Sequence, residues 1–175
     1  MADELFRDDY PWWTRRDDRA LLKIMEITRP KTVLEFGPGV STATLIDGGA
    51  ERIDSYEENE EWFDKSKEML SPFSQVTIRL YVRRYPLFLP EAQPQYDLCF
   101  VDGSRWVEER WPEIEYANQH APMVACHDYE YEAMRHITGE LFKDWKSVIV
   151  ESDPPKELAS FLRPDIEVIR GIRNV

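Results

Sequence analysis

Short apolar runs and helix-period segments take turns along this chain, and that alternation restricts the available folds more than any single motif. Residues 17–28 place Leu21, Leu22, Ile24, Met25 and Ile27 on one helical face, and Pro30 ends the segment. "TVLEF" (32–36) predicts a buried strand. "STATLID" (41–47) predicts a helix with Ser41 as its N-cap and Gly48–Gly49 as its stop. "RIDSYE" (52–57) is a second strand, 59–70 a second amphipathic helix, and "QVTIRL" (75–80) a third strand before a proline-punctuated segment to Pro94. "YDLCFVD" (96–102) is the most strand-like run. A helix follows over 111–120 with Pro112 in its first turn, then a strand at 122–128 and a helix at 130–143. Strands at 146–152 and 165–173 close the chain, spaced too closely for a long crossover helix. The pattern predicts one α/β domain over 1–175 with helices on both faces of a doubly wound sheet. That sheet would have about seven strands, mostly parallel with an antiparallel last strand. Residues 1–30 would pack on or cap it.

In open sheets of this kind, ligands bind outside the carboxyl ends of the strands where the strand order reverses. The predicted strands exit at Glu35, Glu57, Asp102 and His127–Asp128. One acid at a strand end reads as an ordinary surface residue or helix cap. Four polar exits from apolar strands along one edge mark a binding site.

Charge narrows the ligand. The chain has 22 Lys and Arg against 34 Asp and Glu, a net charge of −12. Such a surface repels phosphate backbones, which disfavours nucleic acid as a partner. "RLYVRRYP" (79–86) is the one candidate basic patch. No run approaches a membrane span, and "MADELFRDDYPWW" lacks the order of a signal peptide, so a cytoplasmic protein is expected. Cys99 and Cys126, inside apolar runs, read as buried free thiols. Trp106 or Trp111, if exposed, would mark a homodimer surface; a monomer is the alternative.

The stretch "VLEFGPGVSTATLI" (33–46) turns from strand to helix through Gly37 and Gly39. A dinucleotide site would want a third glycine, where Thr42 stands, and an acid about 20 residues on, where Glu57 fits. Glu35 would then lie beside a pyrophosphate, which is unfavourable without a cation. S-adenosylmethionine removes the conflict. Glu35 suits its cationic end, directly or through water. Gly37 and Gly39 let the backbone approach the adenosyl part, Ser41 and the helix amides suit the carboxylate, and Glu57 suits the ribose hydroxyls.

"EFGPGVS" resembles the first motif of class I S-adenosylmethionine-dependent methyltransferases, with Ser41 in place of the last glycine. "DSYEEN" is similar to their acidic second motif, and "YDLCFVDGSR" to the motif around the fourth strand. The resemblance covers residues 30–130 and implies a Rossmann-like sheet and S-adenosyl-L-methionine as cofactor, bound by Glu35, Gly37, Gly39, Ser41, Thr42, Glu57 and Asp102. A narrower likeness, to catechol-type and sugar O-methyltransferases, implies a divalent metal on Asp102 and Asp128, with Arg105 countering the acceptor's charge. His127 stands where that branch has an acid. A histidine shifts the site away from the all-oxygen set that Mg²⁺ prefers, so a metal is not favoured.

His127 reads either as a general base with a pKa near its ordinary 6.5, or as a structural residue holding a loop. The aromatic stretch 8–16 reads as a hydrophobic clamp or as a lid over a sulfonium. Tyr81 and Val82 stand by position near the adenine. The expected activity is methyl transfer to an oxygen, less readily a nitrogen, of a small-molecule acceptor, with Asp102, Arg105, His127 and Asp128 as catalytic residues. A nicotinamide-dependent oxidoreductase and a non-catalytic or non-methylating cofactor-binding protein are the alternatives.

Overall fold

A computed structural model describes Trp13 and residues 15–93, 95–104, 106–153 and 156–163. The helices are α1 (Arg15–Thr28), α2 (Val40–Asp47), α3 (Glu60–Leu70), α4 (Trp111–His120) and α5 (Glu132–Leu141). The strands are β1 (Thr32–Phe36), β2 (Arg52–Glu57), β3 (Val76–Leu80), β4 (Leu98–Val101), β5 (Met123–Cys126), β6 (Lys146–Asp153) and β7 (Lys156–Leu162). A 3₁₀ turn, Val107–Arg110, leads into α4. The strands form one seven-stranded sheet in the order β3-β2-β1-β4-β5-β7-β6. β1 to β5 pair in parallel, and β7 pairs antiparallel with both β5 and β6. No helix among the described residues is long and apolar enough to cross a membrane.

Period-2 alternation divides the core. Leu34, Phe36, Cys99, Val101, Val124 and Cys126 face one layer with Ile114 of α4 and Met134 and Ile137 of α5. Val33, Ile53, Leu98, Phe100 and Ala125 face the other, against Leu21, Ile24 and Met25 of α1 and Leu45 of α2. The chain changes layer between β3 and β4, where no helix forms. Leu87, Leu89 and Tyr96 of the proline-rich segment fill the first layer there instead. Buried Asp54 of β2 ties that segment down, accepting from Tyr96 Oη at 2.9 Å and pairing with Arg79 and Arg52 at 3.0 Å each. Both cysteines are free and buried.

Two expectations are corrected. Gly39, not Ser41, is the N-cap of α2, because the Ser41 hydroxyl is drawn to Glu35 at 2.8 Å. The last hairpin is β6–β7, with β7 at Lys156–Leu162 in a stretch read from sequence as loop. "KELASFL" opens with two charges, and its Ala and Ser hide the apolar alternation. The strand placed at 165–173 lies outside the described residues. Of the tryptophans considered for a dimer surface, Trp106 is exposed, whereas Trp111 packs on the core.

The switch point between β1 and β4 is sterically tight. Gly37 has φ +85°, and a Cβ there would lie 2.7 Å from the Asp102 carbonyl oxygen and 2.8 Å from Gly103 Cα. Glycine is thus needed because the loop after β4 crosses the turn after β1, before any ligand is considered. Gly37→Ala should destabilise the fold by at least roughly 1–2 kcal/mol from the left-handed backbone alone. Urea unfolding that left the variant as stable as the wild type would contradict this packing.

Candidate functional site

The sheet's carboxyl edge is pinned by backbone hydrogen bonds that run on past the strands. Tyr81 N–H donates to Glu57 O, Gly37 N–H to Tyr56 O and Asp102 N–H to Phe36 O, each at 3.0 Å, and His127 N–H donates to Val101 O at 3.1 Å. Glu57, Gly37, Asp102 and His127 therefore stand in a row across the switch point. The predicted exits of β2, β1, β4 and β5 are brought together.

Glu35 lies behind this row and is completely buried. Its Oε1 accepts from Ser41 Oγ at 2.8 Å, and its Oε2 accepts from Thr42 Oγ1 at 2.7 Å and Ser55 Oγ at 2.6 Å. The Thr42 hydroxyl also accepts the Gly39 N–H at 3.0 Å, so its own proton is free for Glu35. Burial pushes the Glu35 carboxyl up to about 7, although the three hydroxyls and the charge of Asp102 also act on it. Enclosed in this way, Glu35 shapes the turn and does not reach the cleft with its own oxygens. The Ser41 and Thr42 side chains are committed to it, leaving the main chain of the turn and of the first turn of α2 to meet a ligand.

Glu57, also buried, turns Oε1 to the amides of Glu58 and Asn59, both at 2.9 Å. Oε2 has no partner among the described residues. Burial raises its pKa while the two amides lower it, with a net upward shift. Asn59 caps α3 through Trp62 N–H at 3.0 Å, and Ser66 of α3 donates to Pro38 O at 3.0 Å, fixing the glycine turn. A carboxylate held by two amides with one oxygen spare suits a diol. Next to it lies a glycine turn leading to main-chain donors. This donor set fits the ribose and amino-acid ends of S-adenosylmethionine.

At the other end of the row, His127 is nearly buried among carboxylates. Its Nδ1 lies 3.2 Å from both Asp102 Oδ1 and Asp128 Oδ1, and its Nε2 lies 3.5 Å from Oδ1 of Asp17, a fully buried residue in the first turn of α1. The Trp13 ring covers the imidazole at 5.1 Å and meets Phe100 edge-on at 6.1 Å. Trp13 Nε1 in turn donates to Asp18 at 2.6 Å. Burial alone would lower the His127 pKa. The Asp102 charge and its contact with the ring, with the nearby carboxylates of Asp128 and Asp17, outweigh it and raise the pKa well above 6.5. The ordinary pKa expected from sequence is corrected: the carboxylates around the ring shift it upward. In the aromatic stretch, Trp13 acts as a clamp on this histidine; the residues before it lie outside the described ones.

Arg110, buried at the end of the 3₁₀ turn, completes the cluster and was not singled out from sequence. Its Nη2 lies 2.9 Å from Asp128 Oδ2 and 3.4 Å from Asp102 Oδ1, and donates to Ser104 O at 2.7 Å. Burial raises the Asp128 pKa, but His127 and Arg110 hold it far below the ordinary range. Asp128 has φ +59°, in the left-handed region that aspartate tolerates better than most residues. One carboxylate oxygen each of Asp102 and Asp128 and a ring nitrogen of His127 could converge on a metal, these ligand atoms lying within 4.8 Å of one another. A divalent ion does not fit them as arranged, because the Arg110 guanidinium and the His127 ring already hold three of the four carboxylate oxygens. Asp102 Oδ2 alone is without a partner among the described residues. Arg105 lies outside the described residues.

The basic stretch is not a free patch. Arg79 pairs with Asp54 and Glu91, and Arg83 with Glu58, Glu109 and buried Glu113. Tyr81 is buried and donates to Glu113, whereas Val82 is exposed beside it. Arg83 Nη1 also reaches Ser104 Oγ at 3.1 Å, joining the loops after β3 and β4.

No family model and no curated protein matches the chain in sequence. Solved structures do match in fold. An SAH-bound methyltransferase from Podospora anserina superposes with a TM-score of 0.69 at 13% identity, over 94% of this chain and 85% of that one. The tRNA (m1A58) methyltransferase of Aquifex aeolicus gives 0.69 at 16% identity, over 95% and 77%. The N-methyltransferase NodS from Bradyrhizobium japonicum, in complex with S-adenosyl-L-homocysteine, gives 0.62 at 12% identity, over 94% and 97%. The chain has the fold of the class I S-adenosylmethionine-dependent methyltransferases.

The buried carboxyl gives a pH signature. Because the folded Glu35 pKa is raised, its stabilising effect is full below about 4.5 and is lost as pH rises through about 7. The shift from 4.5 to about 7 corresponds to roughly 3 kcal/mol. Glu35→Gln cannot ionise, so its stability relative to wild type should rise by up to that amount between pH 4.5 and 8. Urea melts showing a constant difference across this range would refute the assignment.

Proposed function

We propose that this protein is an S-adenosylmethionine-dependent methyltransferase acting on an oxygen, or less readily a nitrogen, of a small molecule. The observation that carries the reading is the row at the switch point, with the spare oxygen of Glu57 on one side of the glycine turn and that of Asp102 on the other. The cofactor would supply an electrophilic methyl on a sulfonium. Glu57 Oε2 would accept from the ribose hydroxyls. The main-chain amides at the start of α2 would receive the carboxylate. Glu35 holds both in register through Ser41, Thr42 and Ser55. Methyl displacement is in line, so most of the rate comes from placing the acceptor atom against the methyl. Asp102 Oδ2 would accept the acceptor's O–H or N–H hydrogen bond and take its proton. Asp128 and His127 would orient Asp102, and Arg105 would counter an acceptor's charge.

A small acceptor is favoured over RNA because the net charge is −12 and Arg79 and Arg83 of the basic stretch are paired with carboxylates. Calorimetry should show binding of S-adenosylmethionine and none of NAD(H). Glu57→Ala should weaken it by roughly 1–3 kcal/mol, leaving two hydroxyls without their charged acceptor. Binding of NAD(H), or unchanged affinity in the variant, would refute the cofactor site. With methyl-labelled cofactor, label should enter a metabolite extract; label entering tRNA instead would refute the small-molecule reading.

A further inference from the structure

The acidic pair at the exits of β4 and β5 carries its own cation, Arg110. Arg110 reaches both acids and is fixed independently of them. Nε donates to Ser104 O at 3.1 Å, Nη2 to the same carbonyl at 2.7 Å, and Nη1 to His127 O at 3.3 Å. A guanidinium cannot lose its proton at any pH the fold tolerates, so it cannot yield its place as a neutral group. On the opposite side of the carboxylates, His127 is held by Asp17 of α1 and covered by Trp13. Among the described residues, Arg110 sets one permanent, almost fully buried positive charge directly against the two carboxylates. A divalent ion needs ligand oxygens at about 2.0–2.6 Å. It would have to displace Arg110 from Asp128 Oδ2 and from its seat on the Ser104 carbonyl.

We infer that Arg110 is the resident counter-ion of the Asp102–Asp128 pair, so that this site takes no divalent metal and Asp102 meets its ligand directly. Arg110 is a positioning residue: it aims the two carboxylates and keeps a metal out. The inference concerns the site of the proposed methyl transfer. Metal binding is read without cofactor or acceptor, however, so its failure leaves that proposal standing and is told apart from it.

The test is Mn²⁺ binding to the full chain, followed by electron paramagnetic resonance. Wild type should show no saturable site tighter than about 1 mM, the weak end of natural oxygen-ligand sites. Arg110→Met, which removes the charge and keeps the bulk, should gain Mn²⁺ affinity by at least about tenfold, the gain being lost again in Arg110→Met with Asp102→Asn. Arg110→Gln, which retains a donor for the Ser104 carbonyl, takes its place if the methionine variant lacks the wild-type circular dichroism. Saturable wild-type binding that disappears in Asp102→Asn overturns the inference. A folded Arg110 variant that gains no Mn²⁺ overturns it equally, because a residue that serves the fold alone would not control metal entry.

Discussion

The buried carboxyl of Glu35 is the interaction on which the candidate site depends. It stands on the last turn of β1 and gathers hydroxyls from α2 and β2, so one side chain fixes the strand, the helix that follows it and the neighbouring strand. It adds to the other anchors of the glycine turn, the Gly37 amide on Tyr56 O and the Ser66 hydroxyl on Pro38 O. An apolar residue would pack there at less electrostatic cost, and a pKa raised to about 7 reflects that cost. The cost is consistent with a polar fixture that sets the geometry of a turn facing a ligand.

A second fixture links the N-terminal helix to the far end of the same edge. Asp17 and Trp13 close on His127, while Asp18 receives both the Trp13 indole and the Thr44 hydroxyl of α2. Helix α1 is thus more than a cover on the second core layer. Its first turn supplies a charge to the cluster that holds Asp102 and Asp128. The proposed cofactor end and the proposed acceptor end are each built from elements distant in sequence and held by buried polar contacts.

Much of this was legible in the sequence. β1 and β2 were read to the residue because apolar alternation and glycine punctuation agree there, and the predicted polar exits do gather along one edge of the sheet. β7 was not legible, since Lys156 and Glu157 break its pattern and its pairing partner β6 is remote from the motif. Arg110 and Asp17 were missed for a different reason. Each sits among like-looking charged residues, "VEERW" and "RRDDR", and burial distinguishes them where residue type does not. His127 was located correctly, but its charge state depends on three carboxylates that only the fold assembles. The role of Gly37 was likewise assigned to ligand space, when the Asp102 backbone already demands it.

The central claim is that one ligand spans the edge from Glu57 to Asp102. Amide chemical-shift mapping with S-adenosylhomocysteine, in ¹⁵N-labelled protein, tests it most directly. The account predicts the largest shifts at Gly37 to Thr42, at Glu58 and Asn59, and at Asp102 to Ser104, with β6 and β7 unmoved. Shifts confined to other surfaces, or none at saturating ligand, would contradict it.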